Sequence, residues 1–248
     1  MFHIPANWPA PANISALTTS CLGGHSHPPF LSNNLALHVG DEAKHVEANR
    51  QQLINYFNLP TTPIWLEQTH STICIDTEVD FQRCADASIT RDTNKVLAIM
   101  TADCLPILLC DKQGLEIAAI HAGWRGLLDG VIEQTLSKMQ SLNQNILAWI
   151  GPAICGNCFE VGSEVYQLFA RKNLILDDID SLQSATKRYL NLPGIAQKIL
   201  NNHGVLQTFN ANICTFEQSH HFYSYRRQAQ TGRMTSLIWF NHTTKGQL

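Results

Sequence analysis

Three side chains that commonly bind metal ions interrupt the apolar middle of this chain. His70 lies in "EQTHS", Cys104 in "TADC" and His121 in "AAIHAGWRG", each beside a short apolar run. They are 34 and 17 positions apart, so the fold would have to assemble any site that they share. Two imidazoles and one thiolate suit Zn²⁺ and leave the fourth tetrahedral position open, as is typical of catalytic zinc. On residue types alone, core histidines and a small buried cysteine remain an alternative.

Further polar residues surround these three positions. Asp103 directly precedes the cysteine, Gln68 lies two residues before the first histidine, and Arg125 follows the second histidine by four. Polar groups this dense at the ends of apolar strands are costly unless they face a pocket. We therefore expect a pocket here, in which Asp86 and Asp103 could orient the histidines as hydrogen-bond acceptors.

Four arginines are candidate anion-binding groups, because the guanidinium fork matches phosphate with two parallel hydrogen bonds. They are Arg50, Arg125, Arg226 and Arg227. Salt bridges at the surface or within the fold are the alternative for each of them.

The stretch "CGNC" places Cys155 and Cys158 at the spacing of a redox or metal-binding CxxC motif. A second CxxC that could complete a zinc ribbon is absent from the sequence, and the flanking residues do not form a thioredoxin-like context. We interpret the stretch as a glycine-containing turn with two partly buried thiols, and a pocket-lining role for Cys158 stays open.

The elements that must position these residues follow from the hydrophobic pattern. Spacings of three and four predict helices over 40–60, 126–140, 162–173 and 192–204, with Asp41 and Ser163 as N-caps of the first and third. Short apolar or alternating runs predict strands over 63–70, 72–76, 95–100, 105–110, 115–121, 146–151 and 204–210. A final pair, 221–227 and 233–240, is predicted to form a hairpin. This irregular mixture indicates an α+β fold.

Composition excludes several classes of protein. The chain has 248 residues, of which 44% are hydrophobic, which is enough for a large core without disulfides. The net charge of -3 argues against nucleic-acid binding, and no window is long enough for a membrane span. The N-terminal residues lack the features of a signal peptide. We therefore expect the eight cysteines to be reduced thiols in a cytoplasmic protein.

Six sequence blocks, in order, resemble the signature blocks of the YfiH family, also called the laccase-domain or multicopper polyphenol oxidase family. They are "EQTHS", "CADASIT", "TADCLPILL", "AAIHAGWRG", "IGPAICGNCFEVG" and "FYSYRRQAQTGRM". The similarity extends from about residue 33 to residue 240. The departures are Thr69 and Ser71, where the family often has a small apolar residue and glycine, and Asn212, where an Asp is common.

The resemblance implies a single domain over residues 1–248 with four layers, α/β/β/α, and mixed β-sheets. It implies that His70, Cys104 and His121 bind zinc, with copper as the alternative metal. It also implies site roles for further residues. These are catalytic roles for Cys104, His121 and Asp103, and substrate or phosphate binding by Asn34, Arg50, Gln68 and Arg125.

For activity, the resemblance implies a purine nucleoside phosphorylase that acts on adenosine, inosine or methylthioadenosine and also deaminates adenosine. The expected partners are small molecules, and the expected assembly is a monomer or homodimer. Three alternatives remain: a zinc amidase that edits a peptidoglycan precursor, a zinc-stabilised binding protein, and a copper polyphenol oxidase. The last is disfavoured, because 11 histidines with one HxH pair are a poor match to a blue-copper site plus a three-copper cluster.

Overall fold

The computed structural model describes residues 1–176 and 187–241, in which two stacked β-sheets are flanked by helices. The strands are β1 (His3–Pro5), β2 (Ile14–Thr19), β3 (Cys74–Asp76), β4 (Ala87–Thr90), β5 (Val96–Thr101), β6 (Leu105–Asp111), β7 (Ile117–Ala122), β8 (Ile146–Ile150), β9 (Glu160–Val161), β10 (Arg188–Tyr189), β11 (Gln207–Asn210) and β12 (Met234–Phe240). The α-helices are α1 (Ala43–Phe57), α2 (Trp124–Asp129), α3 (Val131–Lys138), α4 (Ser163–Arg171) and α5 (Leu192–Asn202).

The two main sheets differ in strand direction. The smaller sheet has the order β1-β2-β12-β5 and is antiparallel throughout. The larger has the order β11-β8-β6-β7-β4-β3 and is mixed, because β11 runs parallel to β8 and β3 runs parallel to β4. The short strands β9 and β10 form a separate antiparallel pair.

Each sheet buries one face against the other sheet and one face against helices. Between the sheets, side chains such as Leu97 and Ile238 from the smaller sheet pack with Leu108 and Trp149 from the larger. The outer face of the larger sheet packs against α2, α3, α4 and α5, and the outer face of the smaller sheet packs against α1. The described residues therefore form the α+β, four-layer α/β/β/α arrangement that the resemblance implied, with one mixed and one antiparallel main sheet.

The predicted helix over 126–140 is two helices. Gly130 separates α2 from α3 with φ of 104°, in the left-handed region that glycine adopts at little cost. The apolar stripe continues through the break because both helices pack on the same sheet.

The predicted C-terminal hairpin is wrong. Residues 221–227 form turns, and β12 pairs instead with β2 and β5. Phe222 and Tyr223 are fully buried, which gives the segment a strand-like apolar pattern, yet they pack beside Cys21 and Met234 without joining a ladder. The predicted strand over 63–70 is likewise reduced to isolated bridges at Ile64 and Glu67.

Both predicted N-caps are also wrong. The N-cap of α1 is Glu42 and that of α4 is Gly162, and neither side chain caps its helix. The Asp41 carboxylate instead accepts hydrogen bonds from Ser26 and Asn34, which lie in the preceding loop. In the described residues, the helices are all too short or too polar to cross a membrane.

Candidate active site

The fold brings the three predicted metal-binding side chains together. The donor atoms of His70, Cys104 and His121 all lie within 4.8 Å of one another, and His70 Nε2 is 3.8 Å from Cys104 Sγ. In a tetrahedral zinc site, a sulfur and a nitrogen ligand stand roughly 3.5 Å apart, given ordinary zinc–ligand bond lengths. The spacing and the donor types therefore fit Zn²⁺.

Two of the three donors come from neighbouring strands. Cys104 immediately precedes β6 and His121 lies near the end of β7, and these strands pair antiparallel with Pro106 opposite His121. This register places the thiol and the imidazole at one edge of the larger sheet. His70 reaches the same edge from a turn, in which its own φ of 62° is left-handed.

The buried carboxylate of Asp86 accepts hydrogen bonds from both His70 and His121. Its Oδ1 accepts hydrogen bonds from the backbone N–H of His70 at 3.0 Å and from His121 Nδ1 at 2.8 Å. Its Oδ2 accepts from the backbone N–H groups of Thr69 and Ser71 and from the Ser71 hydroxyl. The predicted orienting role is thus observed for Asp86, which also organises the turn that carries His70.

The hydrogen bond to Asp86 sets the tautomer of His121. Burial raises the pKa of the Asp86 carboxyl, but hydrogen bonds from His121 and Ser71 outweigh it and lower that pKa to about 2. The carboxylate is therefore ionised and can only accept, so Nδ1 of His121 carries the proton. Nε2 remains available to a metal ion, in the arrangement common for zinc-binding histidines.

The pKa values of Cys104 and His121 are both shifted toward the charged forms, which favours a thiolate–imidazolium pair in the absence of a metal ion. Burial opposes charge on Cys104, yet hydrogen bonds and charge from His121 and His70 lower the pKa of the thiol to about 6. For His121, burial lowers the pKa, while Asp86 and Cys104 together raise it to about 9. A divalent cation can replace the imidazolium proton as the partner of the thiolate, so metal binding should release protons.

Gly123 is required by the close approach of two ligands. A Cβ atom at this position would lie 2.5 Å from His70 Cδ2 and 3.2 Å from Cys104 Sγ. The glycine of "HAGWRG" therefore leaves room for both side chains at the metal-binding position.

Asp103 contributes to the pocket through hydrogen bonds between its carboxylate and a neighbouring chain segment. Its carboxylate accepts hydrogen bonds from the hydroxyls of Thr215 and Ser224 and from the backbone N–H of Arg226. The side chain, for which the resemblance implied catalysis, thus anchors the segment 215–226 beside Cys104. Its own backbone has a left-handed φ of 92°.

The three donors line a cavity of about 530 Å³. Aromatic rings and arginines form much of its wall. The lining residues are His38, Gln68, His70, Met100, Thr101, Ala102, Asp103, Cys104, His121, Trp124, Arg125, Ile154, Phe159, Leu192, Tyr225, Arg226 and Arg233. A pocket of this size accommodates a small organic ligand.

The four residues for which the resemblance implied substrate or phosphate binding fall in different places. Arg125 lines the pocket, stacked on Trp124, and its guanidinium makes no ion pair or hydrogen bond with other described residues. Gln68 also lines it, with its amide bound to the backbone N–H and C=O of Met100.

Asn34 and Arg50 do not line this pocket. The Asn34 side chain is buried and binds the backbone of Ala36 and the backbone N–H of Arg233, which is a pocket residue. Arg50 donates two hydrogen bonds to the Leu35 carbonyl and stacks on Trp65 at 3.9 Å. Because Nη2 of Arg50 also approaches the sulfur of Met100, a lining residue, at 4.0 Å, both side chains support the pocket wall from behind.

Of the remaining predicted anion binders, Arg226 lines the pocket and Arg227 does not. The Arg227 guanidinium is bound to the backbone carbonyls of Thr215, Phe216 and Phe222. Sequence reasoning missed Arg233 and His38, which also line the cavity. Burial and the nearby charges of Arg233 and Arg50 lower the pKa of His38, which indicates a positive local potential.

The fold and the site together define a four-layer α+β protein with a His₂Cys cluster whose donor atoms could hold a metal ion, in an arginine-rich, aromatic pocket. Residues 15–241 match the family described as multi-copper polyphenol oxidoreductase laccase, and the chain belongs to that family.

Similar proteins carry a different name. The chain is 47% identical to a Haemophilus influenzae protein named purine nucleoside phosphorylase, over 97% of this chain and all of that one. It is 43% identical to the Escherichia coli protein named purine nucleoside phosphorylase YfiH, over 95% and 98%. A Neisseria meningitidis crystal structure superposes with a TM-score of 0.89 at 37% identity, covering 96% of this chain and 99% of that one.

Proposed function

We propose that this protein is a zinc-dependent purine nucleoside phosphorylase. It would cleave adenosine, inosine or methylthioadenosine with phosphate, releasing the free base and the 1-phosphate of the sugar, and the same site would also deaminate adenosine. The observation that carries the proposal is the convergence of His70, Cys104 and His121 in a pocket lined by arginines and aromatic rings. The names of the relatives agree with it.

His70, Cys104 and His121 would hold the zinc ion. Three protein ligands leave one coordination position open, and zinc bound in this way supplies Lewis acidity to a substrate atom or water. Asp86 keeps Nε2 of His121 free for the metal and fixes the turn that carries His70. The chain thereby pre-organises the ligand set before substrate enters.

The arginines supply the phosphate-binding part of the site. Arg125, Arg226 and Arg233 line the cavity, whereas its acidic lining residue, Asp103, already accepts three hydrogen bonds. Three arginines against one carboxylate give the lining a net positive charge, although the whole chain carries a net charge of -3. This contrast favours an anionic substrate, and the Arg125 guanidinium, which has no hydrogen bond or ion pair among residues 1–176 and 187–241, could bind phosphate as a fork.

The aromatic wall suits a purine. Trp124, Phe159 and Tyr225 line the cavity together with the apolar side chains of Ile154 and Leu192. Flat apolar surfaces bind a heteroaromatic base by stacking and by removal of both surfaces from water. Phosphate and nucleoside would then meet next to the metal ligands.

The proposal is tested by incubating the zinc-loaded protein with adenosine or inosine, with and without phosphate, and separating the products by chromatography. We expect free base and ribose 1-phosphate only when phosphate is present, and inosine from adenosine without it. His121→Ala should remove both activities, and Asp129→Asn, on the exposed face of α2, should retain them. Failure to release base from any nucleoside, or release of an amino acid from a muropeptide instead, would overturn the proposal.

A further inference from the structure

A second group of potential metal ligands lies apart from the three residues described above. The ligand atoms of Cys155, Cys158, Cys214 and Glu217 all lie within 4.8 Å of one another. Cys158 Sγ is 3.5 Å and Cys155 Sγ is 3.9 Å from Glu217 Oε1, and the backbone N–H of Cys155 points at Cys214 Sγ from 3.4 Å. The isolated CxxC of the sequence therefore lies next to two further potential ligands in the fold, Cys214 and Glu217.

The two further ligands lie in a CxxE turn. Cys155 and Cys158 are three residues apart across a single 3₁₀ turn, closed by the hydrogen bond from Cys158 N to Cys155 O. Cys214 and Glu217 are also three residues apart in a turn, which the bond from Gln218 N to Cys214 O closes. Each turn thus presents two donors on one side, as the paired ligand turns of small zinc sites do.

The sheet topology places the two turns side by side. The first follows β8 and the second follows β11, and these strands are parallel neighbours with Ile150 opposite Asn210. The chains remain paired beyond the strands, because Ala153 bridges to Cys214. The carboxyl ends of parallel neighbours meet at one edge of a sheet, so the four ligands converge without a local sequence motif.

We propose that Cys155, Cys158, Cys214 and Glu217 bind a second, structural Zn²⁺ ion. Sulfur ligands of tetrahedral zinc stand roughly 3.8 Å apart, so the observed cluster needs only a small closure around the ion. Three thiolates favour zinc over calcium or magnesium. Four protein ligands complete the tetrahedron and leave no position for a substrate, which makes this a structural site.

The ion would brace the wall of the active-site pocket. Ile154 and Phe159, which flank the CxxC turn, line the cavity, and the backbone N–H of Ile154 binds the Asp103 carbonyl. Thr215, in the CxxE turn, donates its hydroxyl to the Asp103 carboxylate. A zinc ion that joins the two turns would therefore fix the position of Asp103, which directly precedes Cys104.

The proposal is tested by the zinc content of the untagged, reduced protein and by its melting temperature with and without a chelator. We expect His70→Ala/His121→Ala protein to keep one equivalent of zinc, with chelation lowering its melting temperature. Loaded with Co²⁺, the same variant should show the intense near-ultraviolet absorption of thiolate ligands. This result does not depend on nucleoside turnover, so it separates the second site from the proposed function.

Cys158→Ser/Cys214→Ser should lose that equivalent while keeping the zinc held by His70, Cys104 and His121. Glu217→Gln changes an exposed side chain and should fold, yet bind the second zinc more weakly in chelator competition. Cys84→Ser, an exposed thiol outside both groups, is the matched control and should keep both equivalents. Absence of zinc from folded His70→Ala/His121→Ala protein, or a disulfide within the cluster under reducing purification, would overturn the proposal.

Discussion

At the scale of single residues, the site depends on a carboxylate that does not itself belong to the ligand set. Asp86 accepts hydrogen bonds from His121, from the Ser71 hydroxyl and from three consecutive backbone N–H groups of residues 69–71. Its side chain is fully buried, so no water can replace these contacts. The ionised group thus sets both the tautomer of one ligand and the backbone of another.

Asp86→Asn should therefore weaken binding of the proposed zinc ion while leaving the volume of the side chain unchanged. An amide oxygen accepts fewer and weaker hydrogen bonds, and its NH₂ group opposes the donors around it. We expect the zinc affinity to fall by about 10- to 100-fold, as measured by competition with a chromophoric chelator. The exposed Asp129→Asn should bind zinc like the unaltered protein, and equal affinity in both variants would contradict this role for Asp86.

Arg125 offers a residue-scale test of phosphate binding. Its side chain lines the pocket and has no hydrogen bond or ion pair within the described part of the chain, and a charge-assisted hydrogen bond contributes about 1.5–3 kcal/mol. Arg125→Gln should raise KM for phosphate by about 10- to 100-fold, with a smaller change in KM for the nucleoside. Arg171→Gln, an exposed arginine at the end of α4, is the control in steady-state kinetics. An unchanged KM for phosphate would show that other arginines bind the anion.

At the scale of elements, the break between α2 and α3 divides one chain segment into a helix that reaches the pocket and a helix that packs in the core. The segment α2 carries Trp124 and Arg125 toward the pocket, and α3 buries Val131, Ile132 and Leu136 against the larger sheet. Gly130 changes the chain direction between them with a left-handed φ.

Gly130→Ala should lower the free energy of unfolding by about 1–2 kcal/mol, because an L-residue is strained in this conformation. The added Cβ would have ordinary contacts, its nearest neighbour being Glu133 Oε2 at 3.5 Å, so the loss comes from the backbone and not from a clash. Gly130→Asn should cost less, since asparagine tolerates the left-handed region. Urea unfolding of the two variants measures the difference, and equal stability of all three proteins would contradict the strain argument.

At the scale of the whole molecule, the apolar layer between the two sheets stabilises the fold and the strands that carry the site residues. Leu108 lies there with no exposed surface, opposite Trp149 and Ala119 on the neighbouring strands. The same strand, β6, begins next to Cys104, so packing between the sheets and the position of the ligand depend on one element.

Leu108→Ala should reduce the free energy of unfolding by about 2–5 kcal/mol, because a cavity would remain between two sheets that cannot collapse onto it. Leu115→Ala, at a leucine that is 62% exposed, should change it by less than about 0.5 kcal/mol. Denaturant unfolding followed by tryptophan fluorescence checks both values. A small loss for Leu108→Ala would indicate that the sheets adjust to fill the space.

The residue types at the centre of this protein could be recognised from the amino-acid sequence alone. A histidine or cysteine beside each of three apolar runs could be recognised because burial makes isolated polar groups costly. The α+β class also followed from the hydrophobic periods, and most strands that lie in the two sheets were predicted within a few residues.

Which distant groups lie in contact became clear from the three-dimensional fold. The five hydrogen bonds of Asp86, the pocket positions of His38 and Arg233, and the pairing of Cys155 and Cys158 with Cys214 and Glu217 depend on strand order and register. In sequence, residues 221–227 resemble a strand because they contain the aromatic residues Phe222 and Tyr223. In the structure, both side chains are buried although the segment joins no β-ladder. The pattern of apolar residues indicates whether a side chain is buried. Its contact partners depend on pairing between strands that are distant in sequence, and a short stretch of sequence does not contain that information.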